Sequence, residues 1–193
     1  MSSDRLEIDK KKIIADAAFS VFAEHGFRKT SMKLIAQKAQ MSRPALYLHF
    51  QSKEDVFGFL VLSFFKKVEA QIHTLLVPGA DPTSLLSDVF DAFDPDGVMA
   101  VLLDAEHGDE LMTVKNESVQ AEIQQIEANM LKGLTNWLSD EAQQNRIICA
   151  APDITAQTIL SSYYGLKSPR PSYQVYKART SQLAQLLGKG LRS

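Results

Sequence analysis

Apolar side chains recur along the chain at three- and four-residue intervals and never settle into sustained alternation, which predicts helices rather than strands. Ile13, Ile14, Ala17, Ala18, Val21 and Phe22 form one stripe along a first helix. His25-Gly26-Phe27 follows, with a glycine suited to a left-handed C′ position and an apolar residue after it, the makings of a Schellman stop. A second, short helix is expected after Thr30 or Ser31, burying Leu34, Ile35 and Ala39. Gln40-Met41-Ser42 is a turn of about three residues, and Ser42 then caps a third helix with Pro44 in its first turn, where a missing N–H costs nothing. Ser52 and Asp55 have capping-box spacing and open a long helix from Lys53 to about Leu76.

Beyond that point Pro and Gly punctuation divides the chain into helices near 82–92, 98–106, 110–144, 154–165 and 172–187. The reading is therefore all-α with about nine helices: an N-terminal three-helix domain over residues 1–52 and a C-terminal helical bundle over 53–193. Tyr173, Tyr176, Thr180, Leu183 and Leu187 make a heptad-like seam on the last helix, open to packing either within the chain or against a second copy.

Composition changes this picture only by exclusion. With 193 residues, 45% hydrophobic and 23% charged, the chain is long enough to bury its own core. Lone Cys149 excludes an internal disulfide and any multi-cysteine metal cage. The longest apolar run, from Val56 to Phe65, is interrupted by Gly58 and Ser63 and is too short to span a membrane. Residues 1–12 are polar and charged, unlike a secretory signal, so a cytoplasmic location is expected. Charge is uneven: residues 1–55 carry ten basic and seven acidic side chains, leaving an acidic body behind a mildly basic head. A basic head suits a polyanion, and Lys10 to Lys12 are either a solvated helix start or a basic arm near phosphates.

Two short helices joined by a tight turn, with a third upstream to complete a small core, make a helix-turn-helix. On the third helix Leu46 and Phe50 point together toward Phe22, Leu34 and Ile35. Pro44, Ala45, Tyr47 and Leu48 then face outward, with Arg43 reaching from the first turn. Such a face suits a DNA major groove: apolar groups meet thymine methyls, a tyrosine hydroxyl reaches a phosphate, and an arginine pairs with guanine. Lys53 sits in the first turn of its helix, against the dipole, either as a tolerated exposed lysine or as a phosphate ligand.

The run Thr30-Ser31-Met32-Lys33-Leu34-Ile35-Ala36-Gln37-Lys38-Ala39, then Ser42 through Phe50, then Ser52-Lys53-Glu54-Asp55, resembles the N-terminal domain of tetracycline-repressor (TetR) type regulators over residues 9–57. The resemblance implies backbone-phosphate contacts from Ser31, Tyr47, His49 and Lys53, with His49 equally suited to the core edge. It implies base reading by Arg43, Pro44 and Ala45, with the capping Ser42 also among the DNA-binding residues. It also implies a homodimer on a palindromic double-stranded DNA operator, a small-molecule effector, repression, and no cofactor. This chain departs from the family pattern at Gln40, where a glycine is usual, and at Leu48, where a second tyrosine is common.

No motif marks the effector pocket; Phe90, Met99, Met112, Met130 and Trp137 could wall one or simply fill the core. Asp104, Glu106, His107, Asp109 and Glu110 read as a charged helix end rather than a metal site. The four histidines are scattered and no nucleophile elbow, zinc-helix motif or phosphate-cradling glycine run occurs, so an enzyme is not expected. The rival reading is a helical module that binds small molecules or docks proteins and has lost its DNA-binding role.

Overall fold

The computed structural model describes residues 3–192, with side chains from residue 7 onward. Lys10 to Lys12 lie within its first helix, α1 (Ser3–His25). The elements that follow are α2 (Met32–Lys38), α3 (Arg43–Tyr47), α4 (Lys53–Leu75), α5 (Pro82–Ala92), a 3-10 turn (Pro95–Gly97), α6 (Val98–Asp104), α7 (Gly108–Thr113), α8 (Glu117–Gln143), α9 (Pro152–Gly165) and α10 (Tyr173–Gly190). The described residues form no strand beyond an isolated bridge between Ile147 and Arg192.

Two compact units emerge, and they do not follow chain order: residues 1–64 with 100–122, and residues 65–99 with 123–193. Thus α4 is shared between them, and α7 belongs with the first three helices. In the first unit Ile14, Ala18, Phe22, Ile35, Ala36, Leu46, Phe50, Val56, Phe57 and Leu111 form one buried cluster. Phe22, Phe27 and Phe57 meet there at ring-centroid distances of 5.2–5.7 Å, the separation of favourable tilted and edge-on aromatic pairs. The apolar stripe of α1 is narrower than its sequence pattern, because Ile13 is 58% exposed while Ile14 is fully buried. At 100° per residue the two cannot share the centre of one face.

Helix ends follow local chemistry closely. Gly26 (φ 78°) ends α1 with its N–H on the Phe22 carbonyl at 2.8 Å, the single-bond left-handed cap rather than the fuller Schellman pair. At the end of α2 the Schellman pair does form. Met41 N–H donates to Ala36 O at 3.0 Å and Gln40 N–H to Gln37 O at 3.1 Å, with Gln40 at φ 56°. A side chain in that conformation costs on the order of 1 kcal/mol, so Gln40→Gly is expected to raise stability by about 0.5–1 kcal/mol in urea titration. A loss of stability would show that the Gln40 side chain makes up the strain.

One expected helix is broken. The segment 110–144 becomes α7 and α8, because Val114 is extended and Asn116 caps the new helix, accepting from Ser118 N at 3.1 Å and donating to Glu54 O at 2.7 Å.

In the second unit α10 runs along α5. Tyr176, Thr180, Ala184 and Gly188, four residues apart, are buried. Two members of the heptad-like seam, Tyr176 and Thr180, therefore belong to the chain's own core, while Leu183 and Leu187 are half-buried. The exposed apolar residues of these last helices are Ile154 and Tyr164 on α9 and Val175 and Leu186 on α10. Buried Glu141 is held by Arg146 (2.6 and 2.7 Å) and by Gly79 N–H (3.1 Å). The Arg146 hydrogen bond, more than any other contact, keeps its carboxyl below the usual range.

Candidate nucleic-acid interface

The head is built from caps and a small core. Ser31 accepts from Leu34 N at 3.4 Å and Ser42 from Ala45 N at 3.3 Å, so both hydroxyls are engaged at the starts of α2 and α3 while remaining exposed. Buried Thr30 secures the loop ahead of α2, its Oγ1 donating to Gly26 O at 2.7 Å. Leu46 is fully buried and Phe50 nearly so, and Phe50 packs edge-on against Phe59 at 5.6 Å. With that side anchored, the rest of α3 has only one way to face. Arg43 and Pro44 are exposed, Tyr47 is 38% exposed, and Leu48 is 81% exposed. Ala45 is half-buried.

His49 is half-buried with its Nδ1 atom buried and without a hydrogen-bond partner. That leaves Nε2 as the edge that a phosphate oxygen would have to meet.

Lys53 is placed against the loop that leads to α2. Its Nζ donates to Phe27 O at 2.7 Å, Arg28 O at 3.1 Å and Thr30 O at 3.1 Å, and lies 4.7 Å from the centre of the Phe27 ring. An ammonium has three N–H donors, and all three are spent. The carbonyls after α1 have no helical partner and make an acceptor cup, which the lysine fills from the first turn of α4. Lys53 is thus a strut under the loop leading to α2.

The capping box behind it forms as expected at one bond, Asp55 N to Ser52 Oγ at 3.1 Å. Its return bond reaches one residue further back, from Gln51 N to Asp55 Oδ2 at 3.1 Å.

Sequence reasoning missed the partner of that loop. Glu110 of α7 accepts from Arg28 N at 2.9 Å, and a side chain at Gly26 would run into the Glu110 carboxylate and the His107 ring. The charged stretch from Asp104 to Glu110 is therefore partly a support for the α1–α2 loop. Among the described residues no group of His, Cys, Asp and Glu is placed to hold a metal. No helix among them is long and apolar enough to cross a membrane.

In the second unit α4 and α8 leave a cleft of about 350 Å3 lined by Glu69, Ala70, Ile72, His73, Leu76, Asn129, Met130 and Gly133. Of the residues expected as possible walls, Met130 lines it. Phe90, Met99 and Trp137 are buried, and Met112 belongs to the other unit.

A short capped helix, joined by a tight turn to the helix before it, anchored on one side and exposing Arg, Pro, Tyr and Leu on the other, is the second half of a helix-turn-helix. Residues 14–58 match the family model of bacterial regulatory proteins of the tetR family. Over 164 residues the chain is 23% identical to the uncharacterized HTH-type transcriptional regulator YhgD of Bacillus subtilis, covering 83% of this chain and 84% of that one. Its fold is that of the fatty acid degradation regulator FadR from Bacillus halodurans, with TM-score 0.69, 22% identity and coverage of 95% and 96% of the two chains. It is also that of SmeT in the SmeT–triclosan complex, with TM-score 0.67, 19% identity and coverage of 96% and 92%. Residues 14–58 thus match the DNA-binding domain of the tetR family, and the relatives named here are transcriptional regulators.

Proposed function

We propose that this regulator is a homodimeric repressor that binds a palindromic operator and releases it when a small molecule occupies the C-terminal body. One observation supports the DNA reading above all: α3 exposes Tyr47 and Leu48 while Leu46 and Phe50 hold it down. Plain solvent gives nothing back for such a face, whereas a major groove offers thymine methyls and phosphates. Arg43, Pro44 and Ala45 are assigned to base edges. Ser31, Ser42 and Tyr47 are assigned to the backbone, with His49 through Nε2. Lys53 acts indirectly, by holding the loop that carries Ser31.

One such head makes too few contacts for tight specific binding, and two heads about 34–36 Å apart on a two-fold operator supply the rest. Ile154, Tyr164, Val175 and Leu186 are the apolar side chains offered to the second copy. Repression follows if the occupied operator overlaps a promoter, and binding takes place in the cytoplasm, where the DNA lies. SmeT binds triclosan, and a comparable use of the body suits the cleft here. Helix α4 begins at Lys53 and its later turns line that cleft, so a ligand preferring another course of α4 would lower the DNA-competent population.

Selection of bound duplexes from random DNA tests the reading. A two-fold palindrome should emerge, with affinity that falls steeply as salt rises. Enrichment of single, unpaired half-sites would refute the dimer. No enrichment, even after the protein is unfolded, dialysed and refolded to strip ligand, would favour the docking module.

A further inference from the structure

The cleft in the second unit has a polar end and an apolar floor, and the polar end is built. Gln125 Nε2 donates to Asn129 Oδ1 at 3.0 Å, and Asn129 Nδ2 in turn donates to Glu69 Oε1 at 2.7 Å. An amide relay thus fixes one oxygen of a half-buried carboxylate at the cleft wall. Among the described residues no cation pairs with Glu69, and its other oxygen accepts no hydrogen bond. Ile72 and Met130 are buried beneath it, Leu76 flanks them, and Gly133 leaves the α8 backbone bare where a Cβ would come within 3.2 Å of Leu76 Cδ1.

We propose that this cleft binds a lipophilic organic cation, an aryl- or alkyl-ammonium, with the Glu69 carboxylate as its counter-ion. The inference rests on the reading of the body as an effector site and names the chemical class of that effector. An anionic ligand would meet like charge at Glu69. A neutral apolar ligand would strip water from the carboxylate and return no hydrogen bond, a costly exchange. A protonated amine keeps the charge paired and donates to the open oxygen, and its apolar tail covers Ile72, Leu76 and Met130. Charge-assisted bonds of this kind are about twice as strong as neutral ones. A volume of about 350 Å3 lies at the small end of ligand sites, so the tail is one ring or a short chain.

Three probes of one shape test this on the full chain: 4-phenylbutylamine, 4-phenylbutanol and 4-phenylbutyrate, followed by equilibrium dialysis. The work is done at about pH 8, where a primary alkylamine is still protonated. The amine should bind about tenfold more tightly than the alcohol, and the carboxylate most weakly. Glu69→Gln should bring the amine to within about threefold of the alcohol and leave alcohol binding unchanged. An amine no tighter than the alcohol, an amine preference that survives Glu69→Gln, or no binding of any probe overturns the proposal.

Gly133→Leu separates the two levels of the argument, because its side chain fills the apolar floor. Binding without amine preference that Gly133→Leu abolishes leaves an effector cleft of another specificity. Binding indifferent to Gly133→Leu removes the cleft from the effector reading as well. Helical circular dichroism on each variant confirms that the fold is intact.

Discussion

Tyr47→Ala is expected to weaken operator binding by about 1–2 kcal/mol per half-site, hence roughly 30- to 1,000-fold for a dimer on a full palindrome. Tyr47 is 38% exposed and stands beside fully buried Leu46, so its ring can be removed without opening the head core. Because the side chain is neutral, the dependence of affinity on salt should keep its slope, and the loss should be similar across operator variants. Arg43→Ala should behave differently. A bidentate arginine–guanine pair discriminates by about 1–3 kcal/mol, so that variant should relax sequence preference at one position in each half-site. Electrophoretic mobility shift titrations on a set of single-base operator variants read both effects together. If the two variants bind every duplex as the parent does, α3 is not the reading helix.

Gly188→Ala is expected to destabilise the second unit by about 2–4 kcal/mol, although alanine is favoured over glycine in a helix by about 1 kcal/mol. A Cβ at Gly188 would sit 2.7 Å from Thr83 N, 2.6 Å from Thr83 Oγ1 and closer still to Thr83 Cα. Backbone atoms have no rotamer to move to, so α5 itself must retreat from α10. The neighbouring core is large: Phe90 stacks on Tyr163 at 5.1 Å, and Tyr163 shares a 2.5 Å hydrogen bond with Tyr176. For a chain of this length each kcal/mol shifts Tm by about 2–4 °C, so calorimetry should show a fall of roughly 5–15 °C. Gly190→Ala is the control, with nothing within 4 Å of its Cβ, and should be neutral or slightly stabilising. A Gly188→Ala variant at least as stable as the parent would mean that the close approach of α10 to α5 is not tight in solution.

The two substitutions also mark where sequence reading succeeds and where it stops. The outward face of α3 was legible because everything that sets it is local. Ser42 and Pro44 start the helix, Leu46 and Phe50 choose its buried side, and the turn at Gln40 adopts the left-handed conformation that its place implied. The close contact at Gly188 had no such signal, since its partner lies more than a hundred residues away. The break at Val114–Asn116 was hidden for a related reason. It uses neither Gly nor Pro, and Asn116 is fixed by the Glu54 carbonyl across the unit.

Periodicity, caps and glycine stops determined from the sequence alone that the described residues fold as helices, that residues 32–47 hold a helix-turn-helix, and that Arg43, Pro44, Tyr47 and Leu48 face outward, while Ala45 is half-buried. These are short-range properties, decided within a turn or two of backbone. Tertiary structure decided the rest. Lys53 turns inward because carbonyls 23 to 26 residues earlier gather into a cup around its ammonium. Tyr176 and Thr180 face this chain's own core because α5 lies beside α10, a pairing that a heptad-like spacing allows but does not choose. Glu69 gains a fixed orientation only when α8 brings Asn129 to it. In each case the deciding partner is distant along the chain, and only folding brings the two groups within bonding range.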